Sequence, residues 1–256
     1  MSLAPPQHTN GKQEAVTIAR HQAVAGVAIG IIVIDIWYPL LPGNVANAST
    51  YQFPVIHHIL RDATIKQVLS GDPSLRNLIV DAGKVLIEKY GVRAIVGACG
   101  SFANYQQEVA EALDVPVFMS VMLQVPLILS SLRKDQKLGI LAASELALTP
   151  NVFNQCAIHD PDRLVIIGAR TLPEFQNIMQ CRGEFNNYRL QREVVSLIHS
   201  AVNSNPDIGA VLIQCSDLPP YAQAIQSATG LPVFDMNGLI EWVYHAVVRR
   251  PYEGFM

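Results

Sequence analysis

The stretch Val92–Gln106, with the sequence VRAIVGACGSFANYQ, decides the fold. Its apolar first half predicts a buried strand over Arg93–Gly97, and a helix is predicted to begin near Phe102. The small residues between them place Cys99 in a turn, at the carboxyl end of a strand and the amino end of a helix. Free N–H groups at a helix start carry partial positive charge, so this position favours a thiolate and can hold a carboxylate.

A second stretch, Ala210–Ala222 (AVLIQCSDLPPYA), repeats this arrangement. A strand leads to Cys215, the polar pair Ser216 and Asp217 follows, and two prolines open a helix, where Pro is well tolerated. Two matched strand–turn–helix units, each with one thiol, predict two similar lobes that face one cleft. The alternative is two buried structural thiols, which are common among free cysteines.

Strands and helices alternate along the whole chain, which predicts an α/β fold with parallel sheets and right-handed crossovers. The further strands are predicted at Arg20–Asp35, Val55–Leu60, Val117–Met119, Lys137–Leu141, Asp162–Ile167, Ala210–Ile213 and Val233–Phe234. The helices are predicted at Asp72–Tyr90, Phe102–Leu113, Met122–Leu132, Glu184–Asn203, Tyr221–Thr229 and Gly238–Val248, with one more opened by Thr149 and Pro150.

The composition restricts the classes of function. Half of the 256 residues are hydrophobic, 15% are charged and the net charge is −3, so a nucleic-acid partner is not expected. The most apolar run, Ala23–Asp35, is too short to span a membrane. Met1–Lys12 lacks the pattern of a signal peptide, so we expect a cytoplasmic protein with reduced thiols. None of the four cysteines has metal-ligand spacing, so no metal is expected.

A long irregular segment, Ile36–Pro54, follows the first predicted strand and is rich in turn-forming residues. Loops at this end of a parallel sheet are the usual place for ligand contacts. Asp35, Asn47 and Thr50 are therefore candidate substrate contacts, and Asp35 could instead bind an ammonium or sulfonium group. Trp37 and Tyr38 could line the pocket or form a subunit contact.

Other polar positions have simpler interpretations. His57 and His58 are neighbours in a predicted strand and so point to opposite faces, which favours structural roles over a shared metal. Asp235 could be a site residue, but capping of the last helix is favoured.

The chain resembles the aspartate/glutamate racemase superfamily. The motifs that carry the resemblance are GACGSFANYQ (97–106), PVFMSVMLQVP (116–126), CSDLPPYA (215–222) and GLPVFD (230–235). Within it the chain is similar to the branch that includes algal dimethylsulfoniopropionate lyases, which have a Cys-Gly-Phe turn and a Glu-Cys-Thr-x-x-Pro-Pro-Tyr turn. This chain has Ser101 before Phe102, and Gln214 and Ser216 on either side of Cys215. The loop PGNVANAST (42–50) resembles a Pro-Gly-Asp loop of that branch, with Asn44 in place of the aspartate.

The resemblance implies two flavodoxin-like lobes in a pseudo-two-fold relation, with the active site between them. The first lobe would comprise residues 19–127 plus about 235–256, the second lobe residues 128–234, and residues 1–18 would be a flexible tail. It also implies catalysis by Cys99 and Cys215 without a cofactor, on a small carboxylate-bearing substrate, in a homo-oligomer (dimer or tetramer).

The predicted chemistry is proton transfer at a carbon next to a carboxylate. Donors aimed at the carboxylate oxygens would stabilise the charge that builds there, and the candidates are Gly100, Ser101, Ser120, Ser144 and Ser216. Gln124 is a further candidate substrate contact. Two thiols on opposite faces would allow one to remove the proton and the other to return it. Racemisation of an amino acid or related acid is the leading prediction. A β-elimination lyase and a non-catalytic small-acid binding protein are the alternatives.

Overall fold

The structure is a computed structural model, and it describes residues 24–255. Within this range two four-stranded sheets are formed, and every pair of neighbouring strands is parallel. The first sheet has the order β2-β1-β3-β4 and the second β6-β5-β7-β8. The strands are β1 (Ile29–Ile34), β2 (Val55–Leu60), β3 (Ala94–Gly97), β4 (Val117–Phe118), β5 (Lys137–Ala142), β6 (Leu164–Gly168), β7 (Ile208–Ile213) and β8 (Val233–Phe234). The identical order in both sheets confirms the α/β prediction of two similar parallel-sheet lobes.

The central strands form because they are short runs of Val, Ile, Leu, Ala and Gly that are buried on both faces. All residues of β3 and β7 are buried, as are the first five of β1 and the last five of β5. Continuous apolar runs of this kind are typical of parallel sheets that helices cover on both sides.

The helices are α1 (Ile65–Ser70), α2 (Leu75–Tyr90), α3 (Gln106–Ala112), α4 (Val125–Ser131), α5 (Pro150–Gln155), α6 (Pro173–Met179), α7 (Asn187–Ser204), α8 (Ala222–Thr229) and α9 (Met236–Val247). The predicted stop of α2 is confirmed, since Gly91 follows it in the left-handed conformation with φ of 63°. None of the helices of residues 24–255 has both the length and the apolar character to cross a membrane.

The structure corrects the predicted start of the helix after Cys99. A six-residue 3₁₀ helix, Gly100–Tyr105, comes first, and α3 begins only at Gln106. The Phe102 N–H donates to the Cys99 carbonyl over 3.0 Å, and the Asn104 side chain donates to the Ser101 carbonyl over 3.0 Å. Such local side-chain bonds compete with the α-helical pattern.

Other differences concern element bounds. The first strand begins at Ile29 rather than Arg20, and the predicted tail 1–18 lies outside the described residues.

The structure also has two helices that the sequence does not predict. The helix α1 is only six residues long, with a Thr64–Gln67 capping box, and α6 starts at a proline.

One cluster of buried side chains runs through both lobes. It includes Ile31 and Val96 of the first sheet and Ile140 and Leu212 of the second. Four residues of α9, Met236, Leu239, Ile240 and Val243, belong to the same cluster, and α9 contacts β3. The Asp235 side chain accepts the Gly238 N–H over 2.9 Å, as a helix cap does. The lobe boundaries given above remain predictions.

Candidate active site

The carboxyl ends of central strands from both sheets enclose a cavity of about 230 Å³. Cys99 follows β3 and Cys215 follows β7, and both line this cavity. Two thiols, one from each lobe, therefore share one cavity, as the sequence predicts. Asp35, directly after β1, also lines it. A larger groove along α7 and α8 contains neither thiol.

Cys99 lies among hydrogen-bond donors. The backbone N–H groups of Ser101 and Phe102 and the Ser101 side chain lie near its sulfur and lower the pKa of Cys99. Burial nevertheless outweighs them and raises the pKa of Cys99 to about 11. The N–H groups after Cys99 lower its pKa, as expected, but burial of the sulfur raises the pKa by more, so the free site does not favour the thiolate.

Cys215 has different surroundings. It is 4% exposed, and its sulfur lies 3.7 Å from Oδ2 of Asp217. Burial, and next the negative charge of Asp217, raise the pKa of Cys215 well above its ordinary value. The two turns therefore follow equivalent strands but differ in electrostatics, and burial raises the pKa of both thiols.

Asp217 joins the two lobes through hydrogen bonds. The Tyr38 hydroxyl donates to Oδ1 over 2.6 Å, and the Asn44 amide donates to the same oxygen over 3.2 Å. Asn44 is 2% exposed, and its amide also lies 2.6 Å from the Tyr38 oxygen. Burial raises the pKa of Asp217 while these bonds lower it. The first-lobe loop thus fixes a carboxylate beside the second-lobe thiol.

The two cysteine turns also contact each other directly. The Ser216 hydroxyl donates to the Ala98 carbonyl over 2.8 Å, so it serves the contact between turns rather than standing free for a substrate carboxylate. Gly100 faces Gln214 so closely that a Cβ there would collide with the Gln214 side-chain amide and would lie 2.6 Å from the Gln214 backbone carbonyl oxygen. Only glycine permits this approach.

The rest of the cavity wall is largely apolar. Ser101 and His57 add polar groups, and among the described residues no lysine or arginine contributes to the lining. The aliphatic members are Val33, Ile34, Ile36, Leu40, Ile59, Ile65, Leu69 and Ile178. A substrate carboxylate in this cavity would therefore be held by neutral donors rather than by an ion pair.

Four predicted contacts on loops and turns do not line the cavity. Asn47 and Thr50 shape the loop, since Asn47 donates to the Leu40 carbonyl and Thr50 accepts the Gly43 N–H, each over 2.9 Å. Ser120 is fully buried and donates to the Gly100 carbonyl over 2.9 Å. Ser144 caps a 3₁₀ helix by accepting the Leu146 N–H.

The fifth predicted contact outside the cavity is Gln124, which lines a separate apolar groove with Phe118 and Trp242. For all five residues, polar character at a strand end or loop was sufficient to suggest a contact. The side chains of Asn47, Thr50, Ser120 and Ser144 bond locally instead, and the buried Gln124 Oε1 has no hydrogen-bond partner among the described residues. None of the five lines the cavity, so their positions do not support the predicted substrate contacts.

Sequence reasoning did not assign a role to Asp217. The signal was present, because this carboxylate comes two residues after Cys215, but its partners Tyr38 and Asn44 lie far away in the chain. His57 was interpreted as structural; it lines the cavity with its Nε2 3.2 Å from the Val45 carbonyl. In residues 24–255 no group of three His, Cys, Asp or Glu side chains is arranged to hold a metal ion.

No protein-family model matches the chain. In sequence it is similar to dimethylsulfoniopropionate lyase 5 of Emiliania huxleyi, at 29% identity over 237 residues, which are 89% of this chain and 47% of that protein. It is 28% identical to a dimethylsulfoniopropionate lyase of Durusdinium sp. clade D over 89% of this chain and 77% of that one. The chain thus spans about half the length of the first of these relatives.

Solved structures share the fold at lower identity. A glutamate racemase from Bacillus anthracis superposes with a TM-score of 0.55 at 14% identity, covering 86% of this chain and 82% of that one. Unliganded arylmalonate decarboxylase superposes with a TM-score of 0.52 at 16% identity, covering 89% of this chain and 95% of that one. An aspartate racemase homologue from Pyrococcus horikoshii superposes with a TM-score of 0.53 at 19% identity, covering 84% of this chain and 98% of that one. The chain therefore has the fold of these racemases and of arylmalonate decarboxylase, and its sequence is similar to those of dimethylsulfoniopropionate lyases.

Proposed function

We propose that this protein removes a proton from the carbon next to a carboxylate of a small acid, with thiols as the acid–base groups and without a cofactor. The observation that carries the proposal is the enclosure of Cys99 and Cys215, one from each lobe, in a single cavity of about 230 Å³. A cavity of this size suits a substrate of few heavy atoms, and its lining supplies titratable groups within reach of such a molecule.

The carboxylate of the substrate would be bound by neutral donors near Cys99. The Ser101 hydroxyl and the backbone N–H groups at the start of the 3₁₀ helix Gly100–Tyr105 are the donors at that turn. When the neighbouring carbon loses its proton, negative charge moves onto the carboxylate oxygens. Fixed donors at those oxygens stabilise this charge without reorganisation, which lowers the barrier.

A β-elimination is the reaction that we favour. Cys99 contacts N–H donors whereas Cys215 contacts a carboxylate, so the two thiols are poorly suited to exchanging the roles of base and acid. Elimination needs only one base. The C–H bond breaks toward the base, its electron pair forms a carbon–carbon double bond, and the group on the next carbon leaves with its own bonding pair. The sequence relatives named as lyases support this choice.

Racemisation is the second candidate, because the thiols come from opposite lobes and both reach the cavity. In that reaction one thiol takes the proton and the other delivers a proton to the opposite face, so the product keeps every atom of the substrate. The equivalent positions of the two thiols, after β3 and β7, favour this reaction, and their unlike electrostatics weigh against it.

A substrate panel followed by proton NMR and polarimetry would distinguish these reactions. The panel contains dimethylsulfoniopropionate and both enantiomers of aspartate, glutamate and several neutral amino acids. Alkene signals, such as those of acrylate from dimethylsulfoniopropionate, would establish the lyase. Loss of optical rotation without an alkene would establish the racemase and overturn our preference. Inactivity across the panel, together with no binding of small carboxylates in a thermal-shift assay, would contradict both.

A further inference from the structure

We propose that Asp217 is a positioning residue that accepts the thiol proton of Cys215 as the Cys215 sulfur reacts. This inference deepens the proposed function and rests on it for the identity of the site. The geometry itself is independent of any substrate. The thiol donates toward Oδ2 of Asp217 over 3.7 Å, a sulfur hydrogen-bond distance.

The carboxylate is held so that one oxygen faces the thiol. Oδ1 takes the hydrogen bonds from the Tyr38 hydroxyl and the Asn44 amide, at 2.6 and 3.2 Å. Oδ2 is the oxygen that the thiol reaches. Asn44 is itself fixed, because its Oδ1 accepts the Ala46 N–H over 2.8 Å. Two side chains of the first lobe therefore orient a second-lobe carboxylate toward Cys215.

The charge of the site explains why a buried thiol would need this partner. A lone thiolate in the cavity would add a second buried negative charge beside Asp217, which is costly. If the thiol proton passes to Asp217 as the sulfur reacts, the number of negative charges in the pair does not rise. The carboxylate then accepts the proton whose loss makes the Cys215 sulfur nucleophilic or basic.

In the proposed reaction two protons move in one step. The substrate C–H bond breaks and its proton bonds to the Cys215 sulfur, while the original S–H bond breaks and that proton bonds to Oδ2 of Asp217. The C–H electron pair stays with the substrate carbon, where it forms the double bond of the alkene product. Asp217 ends as a carboxylic acid, and it returns its proton to solvent before the next turnover.

Alkylation of Cys215 tests this role without a substrate. Iodoacetamide would be added at pH 7, and the rate at Cys215 would be read by peptide mass spectrometry for the wild type, Asp217→Asn and Asp81→Asn. Asp81→Asn is the matched control, since it removes one carboxylate from the exposed face of α2, outside the cavity lining. We expect Asp217→Asn to slow alkylation at least tenfold and Asp81→Asn to change it less than twofold.

Faster alkylation of Cys215 in Asp217→Asn would overturn the proposal. If Asp217 acts only as a neighbouring negative charge, its removal makes the thiolate easier to form, and alkylation of Cys215 speeds up. An unchanged rate would equally refute the proposed role. Asp217→Glu keeps a carboxylate and should recover part of the wild-type rate, which a loss of folding would not explain.

The pH profile of the wild type gives a second readout that needs no variant. The titratable groups that face the pair are Tyr38, Cys99, His57 and Asp35. If Asp217 accepts the proton, the Cys215 rate is nearly flat from pH 7 to 9. A thiol that reacts only as its thiolate would instead gain about tenfold per pH unit below its pKa, and that result would contradict the proposal. Inactivity across the substrate panel with this profile intact would refute the proposed function alone.

Discussion

At the scale of single residues, the most informative feature is that two thiols in equivalent turns have unlike neighbours. Cys99 lies near backbone N–H groups that lower its pKa, and Cys215 donates to a carboxylate. The carboxylate is part of the second motif, but its contact with the thiol is not visible there. The position of each thiol after a buried strand could be predicted from the sequence. The Asp217 contacts could not, because they depend on where a loop of the other lobe places Tyr38 and Asn44.

The first prediction concerns the thiols as catalytic groups. Cys215→Ser should lower turnover of a panel substrate by about a thousandfold, the usual worth of a positioned base. Racemisation would require the same loss in Cys99→Ser, whereas elimination by one base requires a smaller loss there. Steady-state kinetics measures this. Cys181→Ser is the matched control, since Cys181 does not line the cavity, and it should retain wild-type turnover. Full activity of either cavity variant would remove that thiol from the mechanism.

The second prediction concerns the pH dependence of Cys99. Its pKa is raised to about 11, chiefly by burial, so the thiolate fraction grows as the pH rises toward that value. Alkylation of Cys99 should therefore increase about tenfold per pH unit between pH 7 and 10. Mass spectrometry of the Cys99 peptide checks this. A rate that is already level by pH 7 would mean that the donors outweigh burial.

At the scale of secondary-structure elements, the two cysteine turns behave as one unit because they contact each other. Ser216 bonds to Ala98, and Gly100 contacts Gln214. The positions of the central strands could be predicted, since buried Val and Ile runs end directly before each cysteine. The 3₁₀ helix Gly100–Tyr105 and the short helices α1 and α6 could not, because local side-chain bonds and capping decide them rather than apolar periodicity.

The third prediction tests the contact between the turns. Gly100→Ala places a Cβ against the Gln214 backbone, so it should destabilise the protein by about 1–3 kcal/mol and disturb both thiols. A thermal melt should show a lower midpoint, by about 2–4 °C for each kcal/mol. Gly139→Ala is the control, since its nearest atoms lie at 3.5 Å or more. Equal melting points for the two variants would contradict a tight contact.

At the scale of the whole molecule, the lobes are joined by a shared core. The cluster that contains Ile31 and Val96 also contains Ile140, Leu212 and α9. The two-lobe architecture was predictable from the repeated strand–turn–helix pattern. The shared core was not, because periodicity shows which residues are buried but not which sheet they pack against.

The fourth prediction follows from this core. Because neither lobe can unfold without exposing apolar surface of the other, thermal unfolding should be a single transition. Calorimetry would then give equal calorimetric and van't Hoff enthalpies. Two separated transitions would show that the lobes are independent folding units.

The central claim is proton removal from the carbon next to a carboxylate by the groups of one cavity. The most direct measurement is proton NMR of the substrate panel in heavy water, with the wild type and the Cys99→Ser and Cys215→Ser variants. We predict that for at least one acid the wild type removes the proton at that carbon, seen as deuterium entry or as alkene formation, and that at least one thiol variant abolishes the change. If both variants transform that acid at the wild-type rate, or the change occurs at another carbon, the account is wrong.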